Sequence, residues 1–379
     1  MNIPILVEPN YKERSVWSHL IMGAIDKTVL SKKYTVSEID PRSYRSMDYD
    51  ALFQNTPRLL LLIAETYDWM EQALSFFSEI HVDIVLLETD LSGYSCVKGQ
   101  VTADHKKNIQ MLLKLFSDCG CTRTALSLYG YYANSVPDRA KRFFFEKEMR
   151  TGGIESPEQL CFENRSGLAD CYNAFYSRIS EFDSVICVNG EAAVALAKNL
   201  TRDGIRIPED IQIITFGGTE LTATCTPKLT VMGVGGDLIG QQAVLTYRYL
   251  YHANTPEITC NVKISGGLFR RDSTRLPDSP AQQNTAEKKM PPTSTTKHRY
   301  YDDREVQELS ALERFLFSCD PLDHAILQHL VRDISYDEIS EILHLSKNAV
   351  FYRVKRIKGI LGLQTIEELK QFLTANNYC

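Results

Sequence analysis

The sequence predicts an α/β fold over residues 1–274 and a small all-helical domain over residues 302–379. Three observations carry this. Short β-rich runs alternate with helix-compatible stretches up to about residue 270, the pattern collapses between 275 and 301, and only helical periodicity follows.

The alternation begins with ILV (5–7), followed by SVWSHLIMGAIDKTVL. RLLLLIA (58–64) is followed by YDWMEQALSFF, and VDIVLLE (82–88) by a helix expected from Asp104 to Phe116. TALSLYG (124–130), a helix over 138–149, SVICVN (184–189), a helix from Glu191 and IQIITFGG (211–218) complete the series. Strand and helix units of this length imply parallel sheets covered by helices on both faces. GVGGDLIG (233–240) lacks the spacing of a phosphate-binding loop and reads as a turn and crossover.

Residues 275–301 are expected to form a flexible linker, because LPDSPAQQNTAEKKMPPTSTTKH has four prolines and too few apolar side chains to bury. Beyond it, REVQELSALERFLFS, PLDHAILQHLVRD, YDEISEILHL, KNAVFYRVKRIKGIL and TIEELKQFLTAN read as helices. Asp320 before Pro321, and Ser346 and Thr365, stand where N-caps are expected.

The composition excludes several classes. The start carries charge too early for a signal peptide, and no segment approaches the roughly 18 apolar residues of a membrane span, so a cytoplasmic protein without a membrane partner is expected. The ten cysteines include no C-x-x-C pair, which argues against a disulfide framework or a metal cage, and no cofactor is expected. No nucleophile elbow, zinc-protease or kinase signature occurs, and the eight histidines are dispersed, so the chain reads as a non-enzyme. A net charge of −6 leaves nucleic-acid binding to a local basic element.

Such an element exists near the end. Ile339, Ile342 and Leu343 line one helix, a brief HLS turn follows, and Val350, Val354, Ile357 and Leu361 line a second. The second helix carries Lys347, Arg353, Lys355, Arg356 and Lys358, and no acidic residue lies between Ile342 and Ile366. Cations for phosphates, with Asn348 and Tyr352 near base edges, are what a helix entering a DNA groove requires. The stretch EISEILHLSKNAVFYRVKRIKGILGL resembles the LuxR/GerE-type helix-turn-helix, matching at Glu338, Ile339, Leu343, Ser346, Asn348, Val350, Ile357, Leu361 and Gly362. Ala349, Phe351 and Ile360 depart from it, and the Y-R-V-K-R-I run is also similar to the purine-catabolism regulator type. Either resemblance implies double-stranded DNA as partner, with Ser346, Lys347, Asn348, Tyr352, Arg353, Lys355, Arg356 and Lys358 at the interface.

The earlier stretch SVICVNGEAAVALAKNLTRDGIRIPEDIQIITFGGTELTATCTPKLTVMGVGGDLIG resembles the effector-binding domain of LacI/GalR-type repressors, with Arg271, Asp272 and Ser273 matching the closing R-D-S. Val16, Trp17 and Gly23 fall on the family's early positions. The resemblance implies a two-lobed periplasmic-binding-protein-like fold that closes on a sugar or related metabolite. Its cleft would use Trp17 for stacking, Asp104, Arg139 and Asn189. Tyr131 and Tyr132, expected in the loop after TALSLYG, would add an aromatic rim.

Gly190 and Gly217 stand where that family has aspartates, which removes the usual carboxylate grip on sugar hydroxyls. The family also places its DNA-binding helices before the sensor, whereas here a different type follows it. The reading is a regulator in which an effector-sensing domain controls a C-terminal helix-turn-helix. A homodimer is expected, from both resemblances and from Ile366, Leu369, Phe372 and Leu373 in the last helix. The alternative makes the α/β part a ligand-free dimerisation or protein-interaction scaffold.

Overall fold

The computed structural model describes residues 1–89, 93–121, 126–253, 255, 257–276 and 300–378. Strands and helices alternate as β1 (Asn2–Val7), α1 (Pro9–Arg14), α2 (Val16–Ser31), β2 (Thr35–Ile39), α3 (Tyr49–Leu52), β3 (Leu59–Ile63), α4 (Tyr67–Glu79) and β4 (Asp83–Leu87). They continue with β5 (Val97–Ala103), α5 (His105–Asp118), β6 (Leu126–Tyr131), α6 (Val136–Thr151), β7 (Cys161–Glu163), α7 (Leu168–Tyr176), β8 (Ser184–Cys187) and α8 (Gly190–Arg202). Then come β9 (Gln212–Phe216), α9 (Glu220–Thr224), β10 (Thr230–Gly233), α10 (Gly236–Ala253), β11 (Cys260–Ile264) and β12 (Gly267–Phe269). Five helices close the chain: α11 (Arg304–Ser318), α12 (Pro321–Val331), α13 (Tyr336–Ile342), α14 (Lys347–Leu361) and α15 (Ile366–Ala375).

The strands form two six-stranded sheets, ordered β11-β5-β4-β3-β1-β2 and β12-β10-β9-β8-β6-β7. Each adjacent pair in the first sheet is parallel, as are β6 with β8 and β8 with β9. Parallel neighbours need a crossover, and intervening helices supply it for every such pair except β4 and β5, which follow one another directly in the element order. The chain divides into two compact units: Met1–Leu115 with Tyr131–Asn164 and Met232–Leu268, and Phe116–Gly130 with Arg165–Val231 and Phe269–Cys379, so far as these are described.

The first sheet shows why its strands are nearly unbroken apolar runs. Ile3, Ile5, Leu59, Leu61 and Ile63 face one core, and Leu6, Leu60, Leu62, Ile84 and Leu86 face the other. Alternate side chains point to opposite faces, so a sheet covered on both sides buries every one of them. The glycines of 233–240 do not make only a turn. Gly236 and Gly240 lie in α10, where an added Cβ would come within 2.9 Å of Leu20 Cβ and 2.5 Å of the Ile21 carbonyl oxygen. They let α10 lie close against α2.

Most of the expected linker, residues 277–299, lies outside the described residues. Its flanks are built into the second unit: the Arg275 N–H donates to Gln212 Oε1 at 2.9 Å, and the Tyr300 hydroxyl accepts from Asn189. Helix α11, expected with the C-terminal helices, packs on α8 and α9 through buried Val306, Leu309, Leu312 and Phe315.

Candidate nucleic-acid interface and effector site

Helices α13 and α14 are set by their caps. Ser335 and Glu338 form a capping box at the start of α13, Ser346 Oγ accepts the Ala349 N–H at 3.2 Å, and Gly362 ends α14 at φ 69°. His344 takes φ 54° in the turn between the two helices. Ile339, Val350, Val354 and Ile357 are fully buried with Ile326, Leu327, Leu369 and Leu373. Ile342, expected in this core, is 50% exposed. Leu369 and Leu373, expected at a dimer contact, are consumed inside the chain.

The basic stripe of α14 divides into two sets. Arg353 Nη1 donates to Asp320 Oδ2 and Asp323 Oδ1, both at 2.8 Å, and Arg356 Nη2 donates to Asp323 Oδ2. Asp323 is fully buried, so these arginines neutralise it and fasten α14 to the start of α12. The Arg353 guanidinium pulls the Asp320 carboxyl down to about 2. Lys347 reaches Asp337 at 2.6 Å, and Lys358 donates to the Gln364 carbonyl at 2.7 Å. Lys355 makes no ion pair among the described residues. Asn348, Tyr352 and Lys355 are exposed on the side opposite Val350, Val354 and Ile357, with Tyr352 66% accessible, and Lys347 is exposed at the start of the helix. Phe351 and Ile360 are also exposed, on opposite flanks of the helix.

In the α/β part, four parallel strands of the first sheet each run into an acid: Glu8 after β1, Glu65 after β3, Glu88 after β4 and Asp104 after β5. The carboxyl ends of parallel strands are where open α/β sheets receive ligands. Glu8 is spent on structure, accepting the N–H groups of Glu65 and Thr66 at 2.8 and 2.9 Å. Glu88 holds φ 65° and receives the Trp17 indole N–H on one oxygen and the Tyr11 hydroxyl on the other. Burial raises the Glu88 carboxyl, and Tyr11, Trp17 and Lys141 oppose that rise.

Trp17 therefore sits half-buried against a carboxylate. Asp104 Oδ1 accepts the Lys107 N–H at 3.0 Å and caps α5, which begins at His105. The Arg139 guanidinium lies 4.6 Å from the Tyr67 ring centroid. Tyr131 is not in a loop: it ends β6, is buried, and donates to Glu163 at 3.1 Å beneath Arg142. Asn189 caps α8 through Oδ1, which accepts the Ala192 N–H at 2.9 Å. The structure joins Trp17 to Glu88 and leaves Asp104, Arg139 and Asn189 in separate local roles.

Glu88 and Tyr11 escaped the sequence reading. The available signal was the acid closing VLLE, repeated in ILVE and IAE. Among the described residues, no cluster of His, Cys, Asp or Glu could hold a metal, and no helix is long and apolar enough to cross a membrane.

A sequence family described as a periplasmic binding protein-like domain matches residues 113–274. The HTH-type transcriptional regulator GalR of Streptococcus thermophilus is 24% identical over 257 residues, 62% of this chain and 74% of that protein. The sucrose operon repressor of Escherichia coli is 32% identical over 113 residues, 28% of this chain and 34% of that protein. Among solved structures, the transcription regulator CcpA of Lactococcus lactis matches with a TM-score of 0.58 at 17% identity, covering 73% of this chain and 100% of that one. The LacI family regulator CCPA of Weissella paramesenteroides with bound sucrose matches at 0.54 and 18%, covering 74% and 100%. The chain thus has the two-sheet α/β fold of periplasmic-binding-protein-like domains, which it shares with these regulator structures.

Proposed function

We propose that the chain is a cytoplasmic DNA-binding transcription regulator and not an enzyme. Helices α13 and α14 form a LuxR/GerE-type helix-turn-helix, and the α/β part senses a small molecule. The observation that carries this is the outer face of α14, where Asn348, Tyr352 and Lys355 stand exposed on a helix anchored from behind and begun by exposed Lys347. The domain division 1–274, 275–301 and 302–379 goes with this reading, except that α11 packs with the α/β part and Tyr378 bridges to Cys225. Relatives named as regulators and repressors support the same role.

The effector falls at the carboxyl ends of the first sheet, where Trp17 offers a ring and Glu88 an acceptor. A polyhydroxylated compound such as a sugar meets that chemistry. The regulator acts as a homodimer, which light scattering at micromolar concentration with DNA would show. The deciding experiment is binding to fragments selected from the source genome, measured from about 50 to about 200 mM salt. Affinity falling steeply with salt is expected, and binding that is absent or indifferent to salt overturns the reading.

One observation favours the second reading, a ligand-free scaffold. Asn189 already donates to Tyr300, and Gly217 supplies no side chain to grip a ligand. Thermal shift against sucrose, nucleosides and amino acids separates the two, since a ligand at a hundred times its Kd adds about 2.7 kcal/mol.

A further inference from the structure

The carboxyl ends of β8 and β9 give way to Asn189 and to Gly217–Thr219, and from these points α8 and α9 start. In an open α/β sheet this edge is where a ligand is received, because strand ends and helix N-termini converge there with unpaired polar groups. In this chain the groups at the starts of α7 and α8 are already taken.

Asn189 turns its Oδ1 inward to cap α8 and points its amide at buried Tyr300, whose hydroxyl accepts from Nδ2 at 2.8 Å. Asp303 Oδ2 accepts the Leu168 N–H at 2.6 Å, occupying the start of α7. Ser310 Oγ donates to Glu191 Oε1 in the first turn of α8 at 3.3 Å, and Glu313 is only 6% exposed beside Thr219. The starts of α7 and α8 are thus hydrogen-bonded by one continuous segment, which also packs on α9.

Gly167 marks the fit. At φ 147° it takes a conformation that favours glycine, and a Cβ there would lie 2.6 Å from Asp303 Oδ2. A residue bearing a side chain at 167 would push Asp303 away from Leu168.

We propose that this end of the second sheet is a docking site for a peptide segment supplied in cis, Tyr300–Phe317, and that the segment is a releasable latch holding the C-terminal helices. Two residues, Cys319 and Asp320, separate α11 from α12, so movement of α11 moves the start of α12 directly. A small molecule requiring the Asn189 amide has to displace Tyr300 first. The docking itself does not depend on the DNA-binding reading; only its consequence for DNA does.

Hydrogen exchange on the full chain, read by mass spectrometry on peptides spanning 166–172 and 188–196, tests the latch. Ser310→Arg places a long cation in the α11–α8 contact, and exchange in both peptides is expected to rise at least tenfold with peptides from β1, β3 and β4 unchanged. Asp303→Asn keeps the size of the side chain and weakens its acceptor. It is expected to raise exchange several-fold in the same two peptides, and it stands as the test where Ser310→Arg loosens the first sheet too. Unchanged exchange at both peptides in Asp303→Asn and in any Ser310→Arg protein with an intact first sheet overturns the proposal. No DNA enters the measurement, so its failure leaves the helix-turn-helix reading standing, and failure to bind DNA leaves the latch standing.

Discussion

The Asp303 carboxylate joins Leu168 to the start of α11: Oδ2 accepts the Leu168 N–H at 2.6 Å while Oδ1 accepts the Glu305 N–H at 2.8 Å. One side chain thereby satisfies orphan donors of two helices that lie 135 residues apart in sequence. Asp303→Ala removes both caps and leaves the Leu168 N–H without its acceptor. A loss of about 1–3 kcal/mol is expected in urea unfolding, with Asn restoring part of it.

The division of the basic stripe predicts a division of phenotypes. Lys355→Glu reverses an exposed charge outside any ion pair among the described residues, so DNA affinity is expected to fall at least tenfold with an unchanged melting temperature. Arg353→Ala removes a partner from the fully buried Asp323, which Arg356 still reaches. Its expected effect is a stability loss of about 1–3 kcal/mol, with weaker DNA binding following from a loosened α14. Equal effects of the two variants on stability, measured by thermal unfolding, contradict this assignment.

Attachment of α11 should depend on pH in a stated direction. Burial first, then the neighbouring Glu191, push the Glu313 carboxyl up to about 8, with Thr219 and Arg314 opposing. A carboxyl raised in the folded state binds more protons there than in the unfolded chain. Its contribution is therefore full below the ordinary glutamate range and is lost as pH rises toward about 8. Hydrogen exchange in the α11 peptide is expected to grow from pH 5 to pH 8 beyond the intrinsic chemical rate, and Glu313→Gln is expected to flatten that growth.

These assignments show which features periodicity exposes. The alternation of ILV, RLLLLIA and VDIVLLE located β1, β3 and β4 because a doubly covered sheet demands apolar side chains on both faces. Ser346 and Thr365 were legible as caps because short polar side chains bond locally. Packing partners were not legible. The spacing of apolar residues in α11 states that one face is buried without saying whether α8 or α12 covers it. In the same way, charge counted along α14 could not reveal that Arg353 and Arg356 answer Asp320 and Asp323, which lie some thirty positions earlier. Trp17 was legible as a stacking residue through the LacI/GalR-type resemblance, but its partner Glu88 reaches it only through the fold of the first sheet.

The glycines of α10 give a last test, because their reason is contact rather than conformation. Gly240 sits in a regular helix, where alanine is ordinarily the better residue by about 1 kcal/mol. Here the added methyl would stand 2.5 Å from the Ile21 carbonyl oxygen, 2.7 Å from Ala24 Cβ and 3.1 Å from the Ile25 backbone nitrogen. None of these is the movable end of a side chain, so α2 and α10 must part, opening a core that holds Ile21, Ile25, Ile239 and Ala243. Gly240→Ala is therefore expected to destabilise by about 1–3 kcal/mol, against the sign of helix propensity. Gly359→Ala in α14, where an added Cβ meets nothing within 4 Å, is expected to stabilise by up to about 1 kcal/mol. Opposite shifts in the urea midpoint are the expected result, and two shifts of the same sign would show that close approach does not fix the glycine at 240.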